Sequence, residues 1–120
     1  MAMVVKGYEY EIPCIYLYHS NILEDKSRFN EILWGIEEEG IPYEVEALDC
    51  NISEELSHLA SMKSKLAVGI GIDSEGKITV TFNKLHKDKP LFTAHLDDSL
   101  DVLRDLGANA GRLVKGIAFK

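Results

Sequence analysis

The chain has 120 residues, 46% hydrophobic and 28% charged, values that suit a single folded domain and not a disordered, collagen-like or coiled-coil chain. Thirteen Lys and Arg against twenty Asp and Glu leave a formal charge of −7. That sign argues against nucleic acid and anionic membranes, where binding depends on neutralising phosphates with cations.

The first eleven residues carry Lys6, Glu9 and Glu11 where a secretory leader needs an uninterrupted apolar stretch. The apolar run Ile12 to Tyr18 is broken by Pro13 and falls far short of the roughly 20 residues that span a bilayer. A cytoplasmic location is therefore expected, with 1–120 as one domain and 1–11 as its N-terminal extension. Cys14 and Cys50 form no C-x-x-C pair and are expected to be free thiols that pack as small hydrophobes.

Residues 12–18, with Pro13 near the start, predict a first strand, and the polar stretch His19 to Lys26 predicts a loop. Phe29, Ile32, Leu33 and Ile36 then fall on one helical face, and Gly40 with Pro42 beyond it is a stop signal. Tyr43 to Leu48 alternates, with Glu44 and Glu46 on a wet face that suits a sheet edge. A second helix follows, capped by Asn51 or Ser53, with Glu54 and Glu55 at its positive end and Leu56, Leu59 and Ala60 facing the core.

Lys65 to Ile72 predicts the most buried strand, with Val68, Ile70 and Ile72 on one face. Its other face, Ala67, Gly69 and Gly71, would let a helix sit close. Asp73 to Gly76 is a turn by composition and Lys77 to Phe82 alternates, so residues 66–82 predict a β-hairpin. Leu91 to His95 is a further short strand. Asp97, Asp98 or Ser99 caps a last helix carrying Leu100, Leu103, Leu106, Ala110, Leu113 and Val114, with Gly107 and Gly111 spaced for close packing against a sheet or another helix. This order predicts an α/β sandwich in which the first three strands are parallel, joined by right-handed crossovers, and the fourth is reversed.

Candidate chemistry is sparse. Gly71-x-x-x-x-Gly76-Lys77 approaches a phosphate-binding loop, but Ile78 stands where a magnesium-binding hydroxyl is needed and a strand follows in place of a helix. His19, His58, His86 and His95 lie in different elements without ligand spacing. The run Glu37-Glu38-Glu39 is unusual because it places three carboxylates at the negative end of a helix dipole. Either the three are solvated, or one of them faces a partner or a cation. Trp34 lies one residue off the buried stripe, as a helix-flank core residue or as an interface anchor.

Leu33-Trp34-Gly35-Ile36-Glu37-Glu38-Glu39-Gly40-Ile41-Pro42, then Leu66 to Gly71, Pro90 to Phe92, and the tail Leu106-Gly107-Ala108-Asn109-Ala110-Gly111-Arg112-Leu113-Val114-Lys115-Gly116-Ile117 together resemble the small subunit of diol and glycerol dehydratase-reactivating factors. The resemblance runs from about residue 12 to the end and implies an anticodon-binding-domain-like three-layer sandwich with a mixed sheet of about five strands. It implies a chaperone-like role for adenosylcobalamin-dependent dehydratases, which inactivate themselves and retain damaged cobalamin. In such factors a large, actin-like ATPase subunit binds ATP or ADP. The small subunit is not catalytic, and it exchanges with the related medium subunit of the dehydratase to release the spent cofactor.

By the same resemblance Glu38, the middle glutamate, reaches a Mg²⁺ or Ca²⁺ held mainly by the large subunit, with Trp34 beside it in the interface. No metal or cofactor is expected in the isolated chain. A complex of two large and two small subunits is implied, as are a homo-oligomer of the isolated chain and a link to a bacterial microcompartment. The chain could instead be the dehydratase medium subunit itself, although that subunit carries extra segments around the same core. A free-standing ligand-binding domain, with its site at the carboxyl ends of the parallel strands, is the remaining alternative.

Overall fold

The computed structural model describes residues 12–84 and 90–120; the 1–11 extension and His86 lie outside them. The elements run β1 (Ile15–Ser20), α1 (Asn30–Glu38), β2 (Tyr43–Leu48), α2 (Ser53–Lys63), β3 (Val68–Ile72), β4 (Lys77–Phe82), β5 (Phe92–His95) and α3 (Leu100–Lys115). The sheet order is β2-β1-β3-β4-β5. β1 pairs in parallel with β2 and β3, while β4 runs antiparallel to both β3 and β5. The expected mixed five-stranded α/β sandwich is therefore present, with α1 and α3 packed together over one face of the sheet and α2 alone on the other.

The main core lies between the sheet and the α1–α3 layer. Ile15 and Leu17 from β1, Ile70 and Ile72 from β3, and Ile78 and Val80 from β4 meet Ile32, Ile36 and Leu103 from the helices, and all are fully buried. Strand alternation sends their neighbours to the other face. There Gly69 and Gly71 lie directly beneath α2, and a Cβ on either would collide with the backbone of Ser53, Ser57 or Ser61. The expected close seat for a helix is real, and it selects small inward residues.

The buried face of α2 is accordingly Ser53, Leu56, Ser57, Ala60 and Ser61. Its hydroxyls are satisfied across the interface, because Thr79 Oγ1 lies 2.8 Å from Ser57 Oγ and donates to the Ser53 carbonyl at 2.8 Å. Ser57 Oγ also lies 2.7 Å from Thr81 Oγ1. Leu59, expected to face the core, is 45% exposed, since the buried stripe of the helix runs through Ser53, Leu56, Ser57, Ala60 and Ser61 and leaves Leu59 on the outer side. Leu100, expected on the apolar stripe of α3, is also exposed at the first turn of that helix.

Three boundaries differ from expectation. β1 begins after Cys14 and extends through His19 and Ser20, both buried, so the loop starts at Asn21. His19 belongs to the strand because its ring packs on Phe29, with centroids 5.4 Å apart, and its Nδ1 donates to the Ser20 carbonyl at 2.9 Å. β3 begins at Val68 because Leu66 N donates to Ser64 Oγ and Ala67 N to the Ser64 carbonyl, which turns the chain and leaves Ala67 at φ 67. α2 takes Ile52 as its cap residue, without a side-chain capping bond, in place of Asn51 or Ser53. Ser99 does cap α3, accepting from Val102 N.

α1 and α3 approach more closely than ordinary side chains permit. A Cβ on Gly35 would lie against the Arg104 carbonyl and 2.7 Å from Ala108 N, and one on Gly107 would strike the Ile32 carbonyl. One on Gly111 would come within 2.7 Å of Glu39 Cβ. α1 stops at Gly40 (φ 76), with Gly40 N donating to the Glu37 carbonyl and Ile41 N to that of Ile36, a paired closure that needs a left-handed residue. Glu39, just beyond the helix, then crosses to α3. Its carboxylate accepts from Lys115 Nζ at 2.7 Å and from Arg112 Nε at 3.1 Å, with a side chain only 9% exposed.

Two kinds of substitution test this packing, at the glycines and at Glu39. Gly107→Ala gains helix propensity of about 1 kcal/mol, but it drives a methyl into α1 backbone that has no rotamer to yield, so a net loss of about 2 kcal/mol is expected. That corresponds to a fall of roughly 5–10 °C in the thermal midpoint. Gly40→Ala, with open space around it, loses only the left-handed conformational advantage, about 1 kcal/mol.

The second concerns Glu39, whose carboxyl is held below its ordinary value by the hydrogen bond from Lys115, with Arg112 adding to it against an opposing push from burial. A depressed folded-state pKa stabilises the fold above the unfolded carboxylate pKa and loses that effect as pH falls through the folded value. Glu39→Gln is therefore expected to lower the thermal midpoint at neutral pH. The gap to the parent should close in thermal scans carried below about pH 3.

Candidate functional site: the outer face of α1 and α3

Three of the four elements with possible chemistry are accounted for by the fold. The glycine-flanked segment 71–77 is a hairpin turn, in which Asp73 Oδ1 accepts from Glu75 N at 2.9 Å and Lys77 N at 3.0 Å, so the turn amides are not available to an anion. His19, His58 and His95 lie on separate elements, and no group of three or more His, Cys, Asp or Glu among the described residues is arranged to hold a metal. Cys14 is buried and Cys50 half-buried, with no disulfide between them.

At the carboxyl ends of β1 and β3 there is a shallow groove lined by Glu24, Asp25, Glu75 and Asp97. Its cation, Arg28, is committed to the Leu96 and Asp98 carbonyls at 2.5 Å each. The groove therefore presents acid to solvent and offers no anion seat, which counts against an anionic ligand for the free-standing ligand-binding alternative.

The remaining element is the acidic end of α1, where none of the three glutamates is merely solvated. Successive residues on a helix point about 100° apart, and here the three diverge to different partners. Glu37 Oε2 accepts from Tyr43 Oη at 2.8 Å, which together with burial pushes the Tyr43 phenol up from its ordinary pKa. Glu39 is clamped to Arg112 and Lys115 as described. Glu38 Oε2 accepts from Arg104 Nη1 at 2.7 Å. Cations from α3 thus offset the unfavourable placement of acids at the end of the α1 dipole.

Arg104 is the hub of this face. Besides Glu38 it holds Glu31, with Nη2 2.9 Å and Nε 3.1 Å from Glu31 Oε1. Its guanidinium carbon also lies 5.4 Å from the centre of the Trp34 ring, within the range of a cation–π contact. Trp34 is 46% exposed, so of its two readings the structure excludes the core residue and leaves a large aromatic surface open to solvent.

The structure therefore brings Trp34 and Glu38 to one surface and adds Arg104 and Glu31, which inspection of the sequence had passed over. The signal was there in part: Glu31, Trp34 and Glu38 fall at i, i+3 and i+7 on one helix. Arg104 was not legible, because its position depends on how closely α3 crosses α1.

Glu38 suits a divalent cation only as a single donor. It is a hard oxygen ligand whose side chain is 45% exposed, on an outer surface where a second chain could supply the other ligands. Exposed Trp and Arg at the centre of a patch are also the residues that most often carry binding energy at protein interfaces.

Comparisons with known proteins show the family. The family described as "Dehydratase medium subunit" matches residues 12–120. A probable glycerol dehydratase-reactivating factor small subunit of Citrobacter freundii is 34% identical over 110 residues, which cover 89% of this chain and 92% of the relative. Among solved structures, a glycerol dehydratase reactivase superposes with a TM-score of 0.87 at 39% identity, over 91% of this chain and 97% of the other. A diol dehydratase-reactivating factor complexed with ADP and Mg²⁺ does so with a TM-score of 0.84 at 33% identity, over 92% and 99%. The chain belongs to the dehydratase medium-subunit family, and within it to the small subunits of diol and glycerol dehydratase-reactivating factors.

Proposed function

We propose that this chain works as the detachable, non-catalytic part of a reactivating factor for an adenosylcobalamin-dependent diol or glycerol dehydratase. It pairs with a large subunit that binds ATP or ADP, and it exchanges with the medium subunit of the client enzyme so that damaged cobalamin is released. The observation that carries this reading is near-complete coverage in both directions of relatives named as reactivating-factor small subunits. The family is itself described by the dehydratase medium subunit, which supports a chain able to take that subunit's place.

The docking face in this reading is the outer surface of α1 and α3, with Trp34 as its aromatic anchor. Glu38 supplies one carboxylate to a Mg²⁺ or Ca²⁺ whose other ligands come from the large subunit. Such an ion would tie the two chains together by neutralising carboxylates from both sides. The solved relative complexed with ADP and Mg²⁺ supports a nucleotide and a divalent ion in the assembly, both assigned here to the partner's side. Two large and two small subunits are the proposed composition, and the cytoplasm the proposed location.

Co-expression with the large subunit tests the reading. A stable hetero-oligomer on size exclusion is expected, and separate elution of the two chains at micromolar concentration would overturn it. Glu38→Gln should leave the thermal midpoint of the isolated chain nearly unchanged. It should also raise the Mg²⁺ concentration needed for half-maximal assembly by about tenfold or more, the scale of losing a contributor to a metal site. An unaltered Mg²⁺ titration would remove Glu38 from the cation.

A further inference from the structure

In the free chain the Glu38 carboxylate is already taken. Arg104 Nη1 donates to it at 2.7 Å, and a divalent ion on either oxygen of the same carboxylate would sit a few ångströms from the guanidinium, two cations facing each other across one anion. Coulomb repulsion at that separation is strong wherever water is partly excluded, as it is at a docked interface. Arg104 on Oε2 and a cation on the same carboxylate therefore compete for one negative charge.

The guanidinium has somewhere to go. Nε and Nη2 already bond Glu31 Oε1, a carboxylate only 16% exposed, and the guanidinium lies against the face of Trp34. Giving up Glu38 leaves Arg104 with an anion and an aromatic ring, so neither charge is stranded when the occupant changes. The other cations on this helix pair do not compete for Glu38, since Arg112 and Lys115 are bound to Glu39.

We propose that Arg104 is the intramolecular occupant of Glu38 which a divalent cation displaces when the chain docks on its partner, with Glu31 and the Trp34 ring holding the displaced guanidinium. This rests on the role given to Glu38 above. Arg104 is a positioning residue in this account: it keeps the carboxylate neutralised in the free chain and sets the cation concentration at which assembly occurs.

The test is the concentration of Mg²⁺, and separately of Ca²⁺, that gives half-maximal assembly with the large subunit, read by light scattering or analytical ultracentrifugation. Arg104→Gln removes the competitor and should lower that concentration about two- to fivefold, the scale of a half-exposed ion pair. Glu31→Gln removes the fallback, ties Arg104 more firmly to Glu38 and should raise it by a similar factor. Both variants lose a bond between α1 and α3, so a merely structural role would move them in the same direction. The double variant should behave like Arg104→Gln, because Glu31 acts only through Arg104.

An Arg104→Gln complex that forms with an unchanged or higher cation requirement would overturn the inference. So would a double variant worse than Arg104→Gln by the full Glu31→Gln factor, since Glu31 would then be acting on the cation itself. Failure of the parent chain to assemble, or assembly indifferent to Glu38→Gln, removes the functional reading and this inference with it, whereas a Glu38→Gln response beside an unmoved Arg104→Gln titration removes this inference alone, so the two failures are told apart.

Discussion

Two helices, α1 and α3, cross with their backbones almost in contact, and the condition that permits it is the missing Cβ at Gly35, Gly107 and Gly111. The exposed face of the protein follows from that crossing. With the helices this close, Arg104 projects from α3 far enough to reach Glu31, Glu38 and Trp34 on α1, and Arg112 and Lys115 reach Glu39. A wider crossing would leave Glu38 and Glu39 at the end of a helix dipole without the α3 cations that offset them. The glycines weaken α3 as an isolated helix, by about 1 kcal/mol each, and the tertiary contact they allow is what the helix gains in return.

The opposite face of the sheet uses the same device with different chemistry. Gly69 and Gly71 admit α2 to backbone contact, and the layer between is filled by Ser and Thr hydroxyls that satisfy one another. Buried polar groups are tolerated when each has a partner, and here the partners are set by strand register, since Thr79 and Thr81 of β4 lie opposite Gly71 and Gly69 of β3. The polar seam also explains why α2 turns Leu59 and Met62 outward. The two outer surfaces thus differ in kind: that of α2 mixes exposed Leu59 and Met62 with Glu54, Glu55 and Lys63, while the other is a charged network around an exposed tryptophan.

Much of this was legible in the residues. The alternation of Val68, Ile70 and Ile72 with glycines located the central strand and the close helix, the Asp73–Gly76 turn located the hairpin, and Gly40 ended the first helix. Where expectation failed, a tertiary contact had overridden a local pattern. His19 looked like loop but is held in the strand by Phe29, and Leu59 looked like core but lies outside the stripe that Leu56 and the serines present to the sheet. Glu37, Glu38 and Glu39 looked solvated because their partners are 6 to 76 residues away along the chain. Trp34 stood out as the one tryptophan beside the buried stripe, and Glu38 through the resemblance carried by its Glu-Glu-Glu-Gly block. Arg104 did not, because the interaction that matters is set by the distance between two helices.

In the proposed assembly the partner covers the α1–α3 face, and the α2 face serves as the reference surface. Hydroxyl-radical footprinting reads this directly, since each face carries one exposed side chain of high reactivity: Trp34, 46% exposed, and Met62, 63% exposed. Comparison of the isolated chain with its complex with the large subunit should show strong protection of Trp34 and unchanged oxidation of Met62. Protection of Met62 with Trp34 oxidised as before would contradict the account.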